Sequence, residues 1–503
     1  MRAISKSKLM AFRQCPKRLW LELHQPTLRI DSAATQASYD VGNQVGDIAR
    51  KLYDPAATGT FIDIKVDGME AAFAKSEALL KFAQPIFEAG FSADGALAFS
   101  DVLLPTKNAD AISWRMIEVK SSTSVKEYHR DDVAVQAFIA KAAQLNLSAI
   151  ALAHIDSAWI YPGDNNYSGL LVEVDLTEEA FARGAEVKDW IAQAHAIALK
   201  RAEPKITTGE HCNKPYACGF LNHCQSQEPA MQYPISWLPG AKTKAFKAFI
   251  GTTPAADLRD VPDALINEKQ QRVKAATLSN TIYFDQASAK RALAAHKLPA
   301  YFIDFETIQF AVPIWQGTRP YQQLPFQFSV HQLSRTGEIT HRPFLDLSGN
   351  DPSLAFAQAL IVACDAAGDA THSIFVYNAP FEKSRISDLA IRYPHLAKPL
   401  AAINARVVDL LPIARDYYYH PSQQGSWSIK AVLPAVCPDL TYENLEGVKD
   451  GGMAMQAYLE AIAPQTLPSR KAEIEKQLLA YCALDTYAMI RLWSVFSGNT
   501  LKE

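Results

Sequence analysis

One stretch, Tyr301-Phe302-Ile303-Asp304-Phe305-Glu306-Thr307, constrains the fold of this chain more than any other. Its apolar, aromatic and β-branched residues favour a buried strand. Side chains alternate along a strand, so Asp304 and Glu306 share a face. Two desolvated carboxylates side by side repel each other and are costly to bury. Cations between them remove that cost, so a strand-borne D-x-E is a candidate two-metal site of the phosphoryl-transfer type. An ordinary strand with its acids at a solvated end would read the same from these residues alone. The missing ligands must come from elsewhere in the chain.

At 503 residues the chain is too long for one ordinary domain. A hydrophobic fraction of 49% with 20% charged residues describes a soluble globular protein with a large core. Fifty basic and 53 acidic residues give a net charge of −3, so any nucleic-acid contact must come from local patches. The apolar runs are too short to span a bilayer, and the start, Met1-Arg2-Ala3-Ile4-Ser5-Lys6-Ser7-Lys8, has no hydrophobic signal core. No membrane association and a cytoplasmic location are expected. Seven cysteines do not suggest a disulfide framework. Cys212, Cys218 and Cys224 cluster and Cys15 stands alone, while Cys364, Cys437 and Cys482 read as buried small hydrophobes.

The N-terminal half begins with a helix capped by Ser7, and helices are expected over 34–53 and 68–89. Residues 96–104 form an apolar strand interrupted by Ser100 and Asp101. Residues 113–121 form another, on which Glu118 and Lys120 share a face. Asp101, Glu118 and the carbonyl of Val119 can hold Mg²⁺. The Lys120 ammonium can position water and neutralise charge developing on a phosphate. A surface ion pair is the plain reading of Glu118 and Lys120. Gln136 projects from a helix over 129–146, where a bland reading makes it exposed. Strands at 148–154 and 170–174 and a helix over 187–201 complete a mixed sheet and lead to the cysteines.

Ser5-x-Ser7-x-x-x-x-Phe12-x-x-Cys15-Pro16, Asp101, Glu118-Val119-Lys120, Gln136 and the late cysteine triplet resemble the RecB-like nucleases of the PD-(D/E)XK superfamily, in their iron–sulfur branch. The resemblance covers residues 1–225 and implies a restriction-endonuclease-like domain. It also implies that Cys15, Cys212, Cys218 and Cys224 close a 4Fe-4S cluster. A four-thiolate zinc site, with His211 and His223 as further ligands, is the alternative. The triplet has a longer first gap than the branch usually shows. Where relatives carry a His or Glu on an early helix, residues 41–47 offer Asp47 instead.

Residues 226–297 are punctuated by prolines and read as a helical linker. A helix through Phe249, a break at Gly251 and a new helix from Ala255 vaguely resemble a helix-hairpin-helix element. Residues 298–503 then alternate strands and helices as in a ribonuclease-H-type α/β fold. Strands are expected at 326–333, 341–345, 373–377 and 405–411, and helices at 353–367 and 473–496. Pro380 suits a first helical turn, which places Glu382 at the end of the sheet. Tyr481 and Asp485 are spaced i, i+4 on one helix face.

Asp304, Glu306, Glu382, Asp485 and Tyr481 resemble the DEDD exonucleases of the DnaQ-like group, in the variant with Tyr four residues before the last Asp. The resemblance implies that the four acids bind two Mg²⁺ or Mn²⁺ ions. Asp304 would bridge them, and Tyr481 would orient the attacking water. Glu382 stands where most members carry Asp. Asp409 reads as a structural acid. The two halves together resemble a bacterial two-domain family of predicted nucleases. Exonucleolytic hydrolysis of DNA, from single-stranded ends, is expected, with RNA possible. Tyr128, beside Lys126 and Arg130, could stack on bases. The alternative is a nucleic-acid-binding or assembly protein with degenerate sites.

Overall fold

The chain is an α/β protein. The computed structural model describes residues 3–108, 111–240, 242–252, 257–365 and 371–501. It divides into two compact units: Met1–Pro229 with Phe310–Gln322, and Ala230–Gln309 with Gln323–Glu503.

The first unit holds β1 (Ile4–Ser5), β2 (Thr60–Phe61), β3 (Ile86–Ala93), β4 (Ala96–Asn108), β5 (Ala111–Lys120), β6 (Leu147–Ile155) and β7 (Leu171–Asp175). Their order is β2-β3-β4-β5-β6-β7, with β1 paired to the start of β4. The β5–β6 pair is parallel and therefore needs a crossover, which the Glu127–Ala142 helix supplies. That helix buries Val133, Ala137 and Ala140 in one core with Trp114, Met116 and Ile150.

Two local readings change in this unit. The helix expected over 68–89 stops at Leu79, and Ile86–Ala93 is a strand. Pro85 has no amide to donate, and the Ile86-Phe87 pair that follows favours a pleated backbone. The cap of the Lys6–Gln14 helix is Ser5 and not Ser7: Ser5 Oγ accepts from Lys8 N at 3.4 Å. Lys6 thus opens the helix. Residues 310–322 belong to this unit, where Ala311 and Val312 pack with Val45, Ile48, Ile155 and Leu170.

The second unit contains β8 (Tyr283–Phe284), β9 (Ala300–Ile308), β10 (Leu324–Leu333), β11 (Ile339–Leu345), β12 (Ile374–Val376), β13 (Val407–Asp409) and β14 (Tyr418–Tyr419). The main sheet runs β11-β10-β9-β12-β13. β9, β10 and β11 form an antiparallel meander, and β12 and β13 continue it in parallel. This is the arrangement expected for the C-terminal half. The 30-residue helix Pro468–Ser497, about 45 Å long at 1.5 Å per residue, packs on β9 and β10. Residues 230–297 are part of this unit and not a free-standing linker. Phe246, Val273 and Leu293 share a core with Phe302, Phe375 and Trp493. The second helix of the hairpin-like element was expected from Ala255, which lies outside the described residues; Leu258–Asp260 is a 3-10 turn. No helix among the described residues is long and apolar enough to cross a membrane.

Candidate metal centre and a second acidic site

β9 is the central strand of its sheet, and Asp304 and Glu306 stand opposite Ser329 and Gln327 of β10. Asp485 meets them from the Pro468–Ser497 helix. One donor oxygen from each of the three lies within 4.8 Å of the other two, the only such three-ligand set among the described residues. Burial holds the Asp304 carboxyl well above its usual range, and Asp485, Glu306 and Glu382 add repulsion. Burial, then Asp485, pushes Glu306 up to about 8. Burial raises Asp485 to about 6 against the opposing hydrogen bond from Tyr442. These carboxyls crowd a desolvated space without enough positive charge, the environment a divalent cation relieves.

Glu382 lies in the first turn of the Pro380–Arg392 helix and is 2% exposed. Burial pushes its carboxyl up to about 8, and its Oε2 has no hydrogen-bond partner. It stands outside the converging trio, although its charge acts on Asp304. The turn that aims it contains Asn378 at φ +89°, a conformation uncommon for a residue with a Cβ. Asp409 holds that turn, accepting the N–H groups of Asn378 and Ala379, each at 3.0 Å. Asp409 also caps the next helix through Leu411 N at 2.9 Å, which fits the structural part assigned to it.

Tyr481 is buried beside Asp485. Three further residues at this centre escape a reading of the sequence. The Tyr442 hydroxyl donates to Asp485 Oδ1. Lys430 Nζ sits 5.0 Å from the Tyr481 ring and 5.4 Å from the Tyr442 ring. The Cys482 thiol, grouped above with inert buried cysteines, is buried but approaches Asp304 Oδ2 at 3.7 Å. Only Cys482 carried a signal, its place between Tyr481 and Asp485.

The second acidic site lies on β4 and β5. Asp101 Oδ2 accepts the Val119 N–H at 2.7 Å. Glu118 Oε1 accepts Lys6 Nζ at 2.8 Å and Lys120 Nζ at 2.6 Å. Gln136 Nε2 donates to the other oxygen, Oε2. Gln136 is therefore not an exposed polar residue but 1% exposed within the site. Asp132 completes the network, 2.6 Å from Lys120 Nζ and 3.2 Å from Lys6 Nζ. Burial opposes its charge, yet Lys120 and Lys6 hold its carboxyl far below the usual range. Glu88 lines one cavity with Asp101, Glu118 and Lys120. It adopts φ +57° between the paired residues Phe87↔Val102 and Ala89↔Ser100. Burial, then Glu118, raises it to about 7. Lys6, Glu88 and Asp132 were not anticipated. Asp47 lines the same cavity but is largely exposed and paired with Arg50.

Cys15, Cys212, Cys218 and Cys224 line one small cavity, Cys15 following the Lys6–Gln14 helix and the others coming from the end of the unit. Burial pushes the Cys15 and Cys218 thiols up, and Cys224 to about 11. His211 also lines the cavity, whereas His223 Nε2 lies 3.2 Å from Glu203. No three of these donors converge within 4.8 Å.

Residues 301–428, which include Asp304, Glu306 and Glu382, match a family described as a domain of unknown function, DUF2779. No curated protein matches the chain.

Proposed function

We propose that this protein is a metal-dependent nuclease that hydrolyses phosphodiester bonds of DNA from single-stranded ends, with RNA as the alternative substrate. The convergence of Asp304, Glu306 and Asp485 on one point carries this reading. Those three carboxylates would hold Mg²⁺ or Mn²⁺, with the unpartnered oxygen of Glu382 nearby. Bound there, the cation supplies the charge that activates water and stabilises the leaving oxygen. The protein's own groups do the rest. Burial and the adjacent carboxylates oppose ionisation of Tyr481, so its hydroxyl is a donor that orients water and not a base. Tyr442 holds one oxygen of Asp485, and Tyr481 also hydrogen-bonds this carboxylate. The Lys430 ammonium brings positive charge toward Glu306 and Asp485, which would offset charge on a bound phosphate.

Cys15, Cys212, Cys218 and Cys224, which line one cavity, would hold a 4Fe-4S cluster, with a four-thiolate zinc site as the alternative. Protein purified without oxygen should be brown. A colourless, zinc-loaded protein would exclude the cluster.

A second reading applies to the N-terminal unit. Both oxygens of Glu118 are engaged, one by two ammonium groups and the other by Gln136. This favours a unit that binds nucleic acid while the C-terminal unit cuts. Asp304→Ala and Lys120→Ala separate the cases on end-labelled single-stranded DNA, duplex DNA and RNA with Mg²⁺ or Mn²⁺. Asp304→Ala should abolish degradation; full activity in that variant would refute the C-terminal assignment. Loss of binding alone in Lys120→Ala would make the first unit a reader.

A further inference from the structure

A second cavity of the N-terminal unit, about 630 Å³, shares Lys6 and Lys120 with the acidic one. The two differ in their balance of charge. The acidic cavity sets Asp47, Asp63, Glu88, Asp101 and Glu118 against Lys6, Arg50, Lys65 and Lys120. The other presents Lys6, Arg18, Arg29 and Lys120 against only Glu22 and Asp132. It also carries three tyrosines, Tyr39, Tyr128 and Tyr216. Tyr39 and Tyr216 are 46% and 39% exposed, so their rings are open to a ligand.

The rings and cations are arranged together. Tyr128 and Tyr216 meet edge to face at 6.0 Å. The Arg18 guanidinium lies over the Tyr216 ring at 5.2 Å and is tied to Glu22 at 2.9 Å. Arg29 donates to the Tyr39 hydroxyl at 2.7 Å and is paired with Asp31 at 2.9 Å and with Glu22 at 3.5 Å. Rings fixed beside guanidinium groups can take a base face and a phosphate at once. Ligand pockets commonly enclose roughly 300–1,000 Å³, which admits an unpaired nucleotide and excludes a stacked duplex.

We infer that this cavity is a binding site for one unpaired nucleotide of a single-stranded nucleic acid. Its base stacks on the face of one of the two perpendicular rings, Tyr128 or Tyr216, against the edge of the other, and its phosphate faces Arg29, Lys6 and Lys120. The backbone on either side of that nucleotide then passes the two lysines that border Glu118. The inference rests on the nuclease reading only for the identity of the polymer. It assigns single-strand selectivity to the N-terminal unit.

The test is fluorescence anisotropy of the full chain without divalent metal, so that binding is read apart from cleavage. Probes are labelled dT12, U12 and a 12-base-pair duplex. Base stacking on an aromatic ring is worth about 1–3 kcal/mol, so Tyr128→Leu with Tyr216→Leu should weaken dT12 or U12 binding about 10- to 100-fold. Duplex binding should change less than about twofold, and Tyr128→Phe with Tyr216→Phe should restore affinity. Arg29→Gln should weaken single-strand binding and flatten its salt dependence. A loss for dT12 alone, U12 alone or both identifies which of the two strands the site accepts. Unchanged single-strand affinity in a leucine variant with parental thermal unfolding would overturn the proposal, as would equal losses for single strand and duplex. Should the leucine variant not fold, weak binding by the phenylalanine pair would count equally against stacking. Intact binding without any hydrolysis would refute the nuclease reading and leave this site standing.

Discussion

Tyr442 donates its hydroxyl proton to Oδ1 of Asp485 across 43 residues of sequence. This bond fixes the rotamer of a carboxylate that must also face Asp304 and Glu306. Groups that orient a metal ligand in this way typically contribute 10- to 100-fold to affinity or activity. Tyr442→Phe should therefore weaken Mn²⁺ binding by about that factor while the fold stays intact, as read by calorimetric titration and circular dichroism. Asp485→Asn should cost more, because it removes a ligand charge.

Metal binding should tighten as pH rises. Burial raises Glu306 and Glu382 to about 8 and Asp485 to about 6. Below those values the cation must displace protons, so each such carboxyl costs up to about tenfold in apparent affinity per pH unit. Mn²⁺ should stabilise the protein more at pH 8.5 than at pH 6 in thermal unfolding. A stabilisation independent of pH would argue against carboxylate ligation.

Acid should weaken the C-terminal unit through His331. Burial, then His341 stacked at 4.2 Å, lowers His331 to about 4. Its unfolded value is about 6.5, so between these pH values the unfolded chain binds the extra proton. Stability is present above pH 6.5 and is lost as pH falls toward 4, by at most about 3 kcal/mol. Thr486 Oγ1, 2.7 Å from His331 Nδ1, can still be reached by an amide. His331→Gln should flatten this pH slope in urea unfolding relative to the parent.

Two glycines should respond oppositely to alanine. Gly425 has φ +80°, and an added Cβ would lie 1.7 Å from the Trp237 carbonyl oxygen. Gly425→Ala should destabilise by about 2 kcal/mol or more and disturb the loop leading to Lys430. Gly42 lies within the Ala33–Tyr53 helix, with nothing within 4 Å of such a Cβ. Gly42→Ala should be neutral or stabilising by roughly 0.5–1 kcal/mol. Denaturation midpoints of both variants check this.

Some of these elements are legible from residue patterns. An apolar run with period-two acids specified β9 and placed Asp304 and Glu306 on one face, because strand alternation is a local rule. The i, i+4 spacing placed Tyr481 one helical turn from Asp485 for the same reason. Local rules failed where two preferences competed. Residues 86–89 lay within the helix expected over 68–89 yet belong to a strand that pairs with β4, in which Glu88 adopts a φ of +57°.

By itself the sequence determined which carboxylates can share a face, which helix carries Tyr481 and Asp485, and the order in which four cysteines enter and leave the first unit. Tertiary structure alone decided that Tyr442 reaches Asp485 and Lys430 the Tyr481 ring, and that Lys6 and Asp132 close around Glu118. It also decided that Gln136 is buried. The reason is physical. Backbone periodicity is set by neighbours a few residues away, whereas a buried charge takes whichever partner the packed chain brings within hydrogen-bond reach, at any separation in sequence.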